Sequence, residues 1–446
     1  ADLFLFEDSN SNGIFDSEDQ QITSSDNPMN QNETINFAAT AGTYFAQVQR
    51  YEVGSNGRLS YDLDFSLAEQ PPVEPPTEPP VLAPVVPETY QAFDPGQVFA
   101  LNSNAGADHV IYLDFDGHVT TGTDWNDEYG RINSSAYDTD GNAAAFSRSE
   151  RQMIWQVWQR VAEDFAPFDV NVTTELPSAD RLVRSGNRDT RWGVRTVIGD
   201  SDWYDDSGVG VAYLNSFSDR SDVPVFVFSD QYAVRQQEIG LAETISHEVG
   251  HALGLEHDGQ RGGDEYYEGH GSGSRSWAPI MGFSDNARVT QWSRGEYSRA
   301  DNRQDDLDII TGQSNGFGYR EDDHGDSVTN ASALSFRNGT VETYGVIEKD
   351  ADVDMFEINS STGIIDLAVN AFERGANLDI RAQLLNAAGR VLGSYAPSGS
   401  LSATVRQTLN PGQYFLSVEG VGNGTGVNGY TGYASIGQYS IEGSIA

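Results

Sequence analysis

The stretch His247-Glu248-Val249-Gly250-His251-Ala252-Leu253-Gly254-Leu255-Glu256-His257-Asp258 decides how the rest of the chain is read. Histidines four apart return to one face of an α-helix, so His247 and His251 can hold a single metal ion from the same side. Glu248 then stands beside that ion as a base. Gly254 can take the left-handed conformation that ends a helix and reverses the chain, which brings His257 round as a third nitrogen ligand. Three protein ligands with one position open is the pattern of a catalytic zinc, and Zn2+ is the expected cofactor.

Bulk properties narrow the setting. A chain of 446 residues is too long for one ordinary core, and two or three domains are expected. Its 67 acidic residues against 26 basic ones give a net charge of −41, and Lys349 is the only lysine. Such a chain repels nucleic acid and anionic membranes, so neither is an expected partner, and a strongly acidic surface suits a salty medium. Cysteine is absent, which removes disulfides, thiolate ligation and any cysteine-based latency switch. No apolar run is long enough to span a bilayer. The sequence starts at Ala1 inside an apparent strand, Asp2-Leu3-Phe4-Leu5-Phe6, with no visible signal peptide, and reads as a mature product or a fragment.

Four segments are expected along the chain. Residues 1–68 read as short strands with polar turns. Within them, Asp8, Asn10, Asn12, Ile14, Asp16 and Asp19 fall at the ligand positions of a calcium loop, with Gly13 at its turn, so Ca2+ is a second expected cofactor. Residues 69–98 are proline-rich and read as an extended linker. Residues 99–317 alternate strand and helix signals: strands around 109–113, 170–173, 194–198, 210–214 and 223–228, a helix opened by the capping box Ser147-x-x-Glu150 and stopped by Pro167, then the histidine helix from about Glu238. Residues 318–446 are all-β with glycine-rich turns. Ala41-Gly42-Thr43-Tyr44-Phe45-Ala46-Gln47-Val48 recurs as Pro411-Gly412-Gln413-Tyr414-Phe415-Leu416-Ser417-Val418, and Tyr61-Asp62-Leu63 as Tyr439-Ser440-Ile441. Two copies of one β-sandwich module are therefore expected around the central part, the first shortened at its start.

The histidine stretch and the later Ser276-Trp277-Ala278-Pro279-Ile280-Met281-Gly282-Phe283 together resemble the metzincin zinc endopeptidases. Asp258, the tract Gln291-Trp292-Ser293-Arg294-Gly295-Glu296-Tyr297 and Gln304-Asp305-Asp306-Leu307 are similar to the bacterial reprolysin-like, adamalysin-related branch. The flanking modules resemble bacterial pre-peptidase C-terminal domains through Asp352-Val353-Asp354-Met355-Phe356 and Tyr433-Ala434-Ser435-Ile436-Gly437. The resemblance implies a central α/β (α+β) domain with a twisted, mostly parallel sheet and an active-site helix, flanked by all-β sandwiches. It makes Met281 the methionine turn beneath the imidazoles. It implies a secreted bacterial enzyme acting on protein or peptide substrates; a monomer is expected, although the sequence leaves the oligomeric state open. Phe283 stands where astacins and serralysins carry a ligand tyrosine, so no phenolic ligand is expected there.

The mechanism so implied has zinc on His247, His251 and His257 activate a water whose proton Glu248 takes and passes to the leaving amine. The substrate would lie along an edge strand at 209–217, with a specificity pocket walled by residues 277–290. Asp258 is expected to support the turn by hydrogen bonding, and His270, His118 and His324 to be loop or surface residues. Asp138-Thr139-Asp140-Gly141 reads equally as a calcium site or a plain turn. Two other classes stay open: an adhesion protein displaying an inert zinc domain, and a metal-dependent hydrolase of non-peptide substrates.

Overall fold

The computed structural model describes residues 2–9, 14–16, 19–25, 35, 43–49, 85–204, 206–337 and 340–445. They fall into two compact units, 1–77 and 78–446. In the first, Asp2–Glu7 is the middle strand of an antiparallel sheet between Gln20–Ser25 and Tyr44–Gln49. The Phe15 ring packs against Phe6 and Phe45, with centroids 4.8 and 5.6 Å apart. The repeat strand 41–48 is a strand where it is described. Its companion Tyr61-Asp62-Leu63 and the proline run 69–84 lie outside the described residues.

The second unit begins with a twisted five-stranded sheet in the order Val170–Thr173, His109–Asp114, Gly193–Gly199, Val225–Phe228, Gly210–Val211. The first four strands are parallel, and the last is an antiparallel edge. The four parallel strands are buried along their whole length, including the polar Asn171, Arg195 and Thr196. Helix Arg148–Asp164 starts on the expected capping box: Ser147 Oγ accepts from Glu150 N and Glu150 Oε2 from Ser147 N. Its Ile154, Val157, Trp158 and Val161 are fully buried. Helix Gln237–Leu253 lies beside it against the sheet. Trp158 Nε1 donates to Val172 O at 2.9 Å, tying helix to strand.

Three expectations change here. A hairpin of His118–Thr120 with Ile132–Ser134, enclosing a short helix Trp125–Tyr129, stands between the first strand and the first long helix. The strand expected over 210–214 is only Gly210–Val211. Asn215 turns into the left-handed region (φ 63°), its N–H caps His251 O, and the chain enters a 3-10 turn at Ser216–Ser218. Residues 88–98 are docked rather than forming a spacer: Thr89 is buried and donates to Gln438, and Val98 is fully buried. Proline density hides this, because partners such as Gln159 and Gln438 lie 70 and 349 residues away from Thr89.

After a parallel pair of Trp277–Pro279 with Val289–Gln291 and the short helix Asp306–Ile310, the chain forms a sandwich of two five-stranded sheets. One runs Ser332–Ala333, Val353–Ser360, Gly412–Gly420, Ile380–Asn386, Val391–Tyr395. The other runs Phe336–Arg337, Thr340–Ile347, Gly437–Ile445, Gly363–Ala371, Ala403–Leu409. Phe356, Leu384, Leu416, Val418, Leu367, Val369 and Ile441 fill its core, fully buried. The chain is thus multidomain and β-rich, with several sheets and few helices. No described helix is long and apolar enough to cross a membrane.

The sandwich meets the helices through buried polar groups. Glu163 accepts from Gln438 N and Nε2, at 3.2 and 3.0 Å. Asp164 accepts from Asn377 Nδ2 at 2.9 Å and from Ser246 Oγ at 2.5 Å, so one carboxylate joins both helices to the sandwich.

Candidate metal centre and cleft

Helix Gln237–Leu253 is buried over nearly its whole length. His247 and His251 project from one face with ring centroids 4.8 Å apart. Gly254 ends the helix at φ 108°, and the N–H groups of Gly254 and Leu255 close back on His251 O and Gly250 O, each at 2.9 Å. That left-handed turn, cheap only for glycine, delivers His257 to within 4.7 Å of the His251 ring and 5.3 Å of the His247 ring. The three residues can each offer a ring nitrogen within 4.8 Å of the others, and no further described histidine or carboxylate joins the group.

Each ring is oriented through Nδ1. His247 Nδ1 faces Ile280 O at 2.9 Å, His251 Nδ1 faces Leu255 O at 2.7 Å, and His257 Nδ1 faces Glu265 Oε1 at 2.8 Å. Carbonyls and a carboxylate only accept, so Nδ1 carries the proton and the Nε2 lone pair is left for a ligand. Burial, then the neighbouring imidazole, holds His247 neutral with a pKa lowered to about 3. Burial lowers His251 to about 4. Three imidazoles facing a shared point fit a divalent zinc ion.

Met281 is fully buried under the helix, and its carbonyl accepts from Asp258 N at 2.8 Å, fastening this turn to the one after His257. Asp258 is buried and absent from the ligand group; its Oδ1 takes a 3.3 Å bond from Tyr297 OH. Glu248 is 7% exposed, and desolvation alone raises its pKa to about 8. It lines a cavity of about 280 Å3 with His247, Tyr266, Phe283 and the edge strand at Gly210. Phe283 is 41% exposed at the rim.

Among the lesser candidates, His270 accepts from Tyr267 OH at Nδ1 and donates from Nε2 to Gly429 O of the sandwich at 2.7 Å. It braces the wall and does not line the cavity. His118 sits 3.9 Å from Asp114, and His324 bonds Ser332 and Tyr344 O. Asp138, Asp140 and Glu150 approach within 4.8 Å, but Asp138 Oδ1 is occupied by the N–H groups of residues 140, 141 and 142, as in a turn. A further carboxylate group, Asp322, Glu348 and Asp352, lies in the sandwich. In the expected calcium loop, Asp8 is buried, Ile14 is exposed and Asp19 Oδ2 accepts from Asp16 N at 2.8 Å; Asn10 and Asn12 lie outside the described residues.

Sequence reading missed Glu265 and Tyr266, whose ring centroid is 4.4 Å from that of His257. They sit on an irregular loop with no periodic signal. It also missed Glu243 and Asp285 as cavity-lining acids, although Glu243 stands one helical turn before His247 and so shares its face.

No family model matches the chain. No curated protein matches it either. Among solved structures, 28% of the chain is similar to 99% of the pre-peptidase C-terminal domain of collagenase from Bacillus anthracis, at 18% identity and a TM-score of 0.20. The periplasmic g-type lysozyme inhibitor PliG of Aeromonas hydrophila aligns over 26% of this chain and 96% of its own, at 11% identity and a TM-score of 0.19. PliG of Salmonella Typhimurium gives 27% and 100%, at 17% identity and a TM-score of 0.18.

Proposed function

We propose that this chain is a secreted zinc-dependent endopeptidase of the metzincin type. In this reading, residues 99–317 form the catalytic part and 318–446 a module of the pre-peptidase C-terminal kind. The observation that carries the reading is the set of three convergent imidazoles. Each has Nδ1 committed to an acceptor and Nε2 left over, no fourth described protein ligand joins them, and a buried carboxylate stands beside them in an open cavity. A closed structural zinc would show a fourth ligand.

His247, His251 and His257 would hold the ion. Bound Zn2+ supplies Lewis acidity, making water nucleophilic near neutral pH and polarising a carbonyl. Glu248 takes the water's proton on its carboxylate as the carbon–oxygen bond forms, then gives it to the amine nitrogen as the carbon–nitrogen bond breaks. Burial alone holds Glu248 protonated near neutrality, and a neighbouring dication draws it back to the ionised form that a base needs. Gly210–Val211, at the sheet edge beside Glu248, offers backbone groups to an extended peptide, which favours a peptide over a small ester or amide. Calcium in the loop 8–19 rests on its sequence pattern.

Casein or gelatin zymography of the full chain, with and without chelator, tests the reading. A chelator-sensitive band in the wild type and none in Glu248→Ala, with zinc still bound at one equivalent in that variant, is the expected result. Zinc at one equivalent with no cleavage of any protein or peptide by the wild type would leave an inert, adhesive domain.

A further inference from the structure

The cavity beside Glu248 has a chemical character that the zinc reading does not require. Its inner part carries two acids besides Glu248. Glu243 is buried on the histidine helix, and Asp285 is half-buried on the segment that follows Met281. The hydroxyls of Tyr232 and Thr244 bond to each other at 2.8 Å across its wall. No lysine or arginine is among the described residues that line it.

The two acids are held differently. Glu243 is fixed from behind, accepting from Ser284 Oγ at 2.7 Å and more weakly from Thr290 Oγ1 at 3.4 Å. Hydroxyl donors leave carboxylate lone pairs over. Asp285 takes no hydrogen bond from a described residue, and burial raises its pKa. Arg160 acts on Glu243 from outside the cavity, but no cation lines the recess itself, and two carboxyl groups within it disfavour each other's charged forms and favour a positive guest. No described group of three ligands gathers there as a metal site would require. A long, flexible cationic side chain reaches both acids, and a guanidinium carries enough donors to serve both at once. The whole chain, at −41, draws in basic peptides before contact is made.

We propose that this cavity receives an arginine or lysine side chain of the substrate residue next to the scissile bond, read by Asp285 and Glu243. The inference rests on the peptidase reading for the word substrate, but not for the binding of the cation.

Two measurements on the zinc-loaded full chain test it. In the first, N-acetyl-argininamide, N-acetyl-leucinamide and N-acetyl-glutamic acid diamide are titrated in by calorimetry. The arginine compound is expected to bind most tightly, with the advantage lost in Asp285→Asn and reduced in the isosteric Glu243→Gln. In the second, quenched fluorescent peptides that differ only at the residues flanking the scissile bond are compared. A basic residue on one side is expected to raise kcat/KM roughly tenfold or more over leucine, and Asp285→Asn to remove most of that ratio. Circular dichroism and zinc content confirm that each variant folds. Leucine preferred by the wild type, or a ratio unmoved in both variants, overturns the proposal. If no peptide is cleaved, the peptidase reading fails by itself and calorimetry alone decides the cation site: equal binding of the three amides overturns it, and arginine-selective binding lost in Asp285→Asn upholds it.

Discussion

Gly250 lies directly over the sulfur of Met281: a Cβ placed on Gly250 would stand 2.5 Å from Sδ, with Met281 Cε at 3.3 Å and Leu255 Cδ1 at 3.4 Å. The histidine helix and the methionine turn therefore touch backbone to side chain, one helical turn from both His247 and the helix end. Gly250→Ala has nowhere to put its methyl group unless Met281 moves. The variant is expected to lose about 1–3 kcal/mol by urea unfolding. Gly250→Ala combined with Met281→Ala should recover part of that loss. Recovery would mark the clash as the cause, since the change from glycine to alanine by itself favours the helix.

Glu265 accepts from the ring of His257, one of the three proposed zinc ligands. Its carboxylate is largely exposed, so Glu265→Ala should leave the unfolding curve nearly unchanged. Zinc affinity, measured against a chromophoric chelator, is expected to fall roughly ten- to a hundredfold, as is usual when the partner of a ligating imidazole is removed.

Asp164 is where two halves of the second unit share one charge. Asn377→Ala removes its donor from the sandwich, and about 1–3 kcal/mol of stability is expected to go with it. The same buried network predicts that the helices and the sandwich unfold together. Tryptophan fluorescence, which reports the helices through Trp158 and Trp292, and far-ultraviolet dichroism, which also reports the sandwich, should give one midpoint.

The sandwich should also be pH-sensitive in a defined direction. Burial raises Glu348 to about 10 and Asp354 to about 9, reinforced by the neighbouring acids Asp323 and Asp352. Each group keeps its proton in the folded chain at pH values where the unfolded chain has released it. The stability they contribute is full below the ordinary carboxylate range near pH 4 and is lost as pH rises through about 9 to 10. In chelator-treated buffer, the melting temperature is expected to fall steadily from pH 5 to pH 9, and less steeply in Glu348→Gln.

Elements governed by short-range rules were legible in advance. Histidine spacing, the Gly254 stop, the Ser147–Glu150 capping box and the apolar stripe of Arg148–Asp164 depend on neighbours within a turn or two, and periodicity records them. Residues whose position depends on distant chain were not. Leu214 looks like a strand residue, yet it is 48% exposed because Asn215 leaves the sheet to cap the histidine helix. Thr89 sits among prolines and glutamates, and its fate is decided by Gln438. Glu265 reaches His257 across an irregular loop with no fixed offset. Part of the calcium loop lies outside the described residues, so its pattern remains a sequence argument.

The bond from His270 to Gly429 also has a meaning in time. The wall segment around Trp277 is braced by chain made more than a hundred residues later: His270 by Gly429 O, Arg275 by Asn423, and Ser274 by Ser398 O. A nascent chain that has reached only residue 317 owns its three histidines and Glu248 but not the partners that fix the side of the cleft. On the proposed peptidase reading, the cleft would be complete only once that later chain has been made, so the order of translation would set when the site could first work.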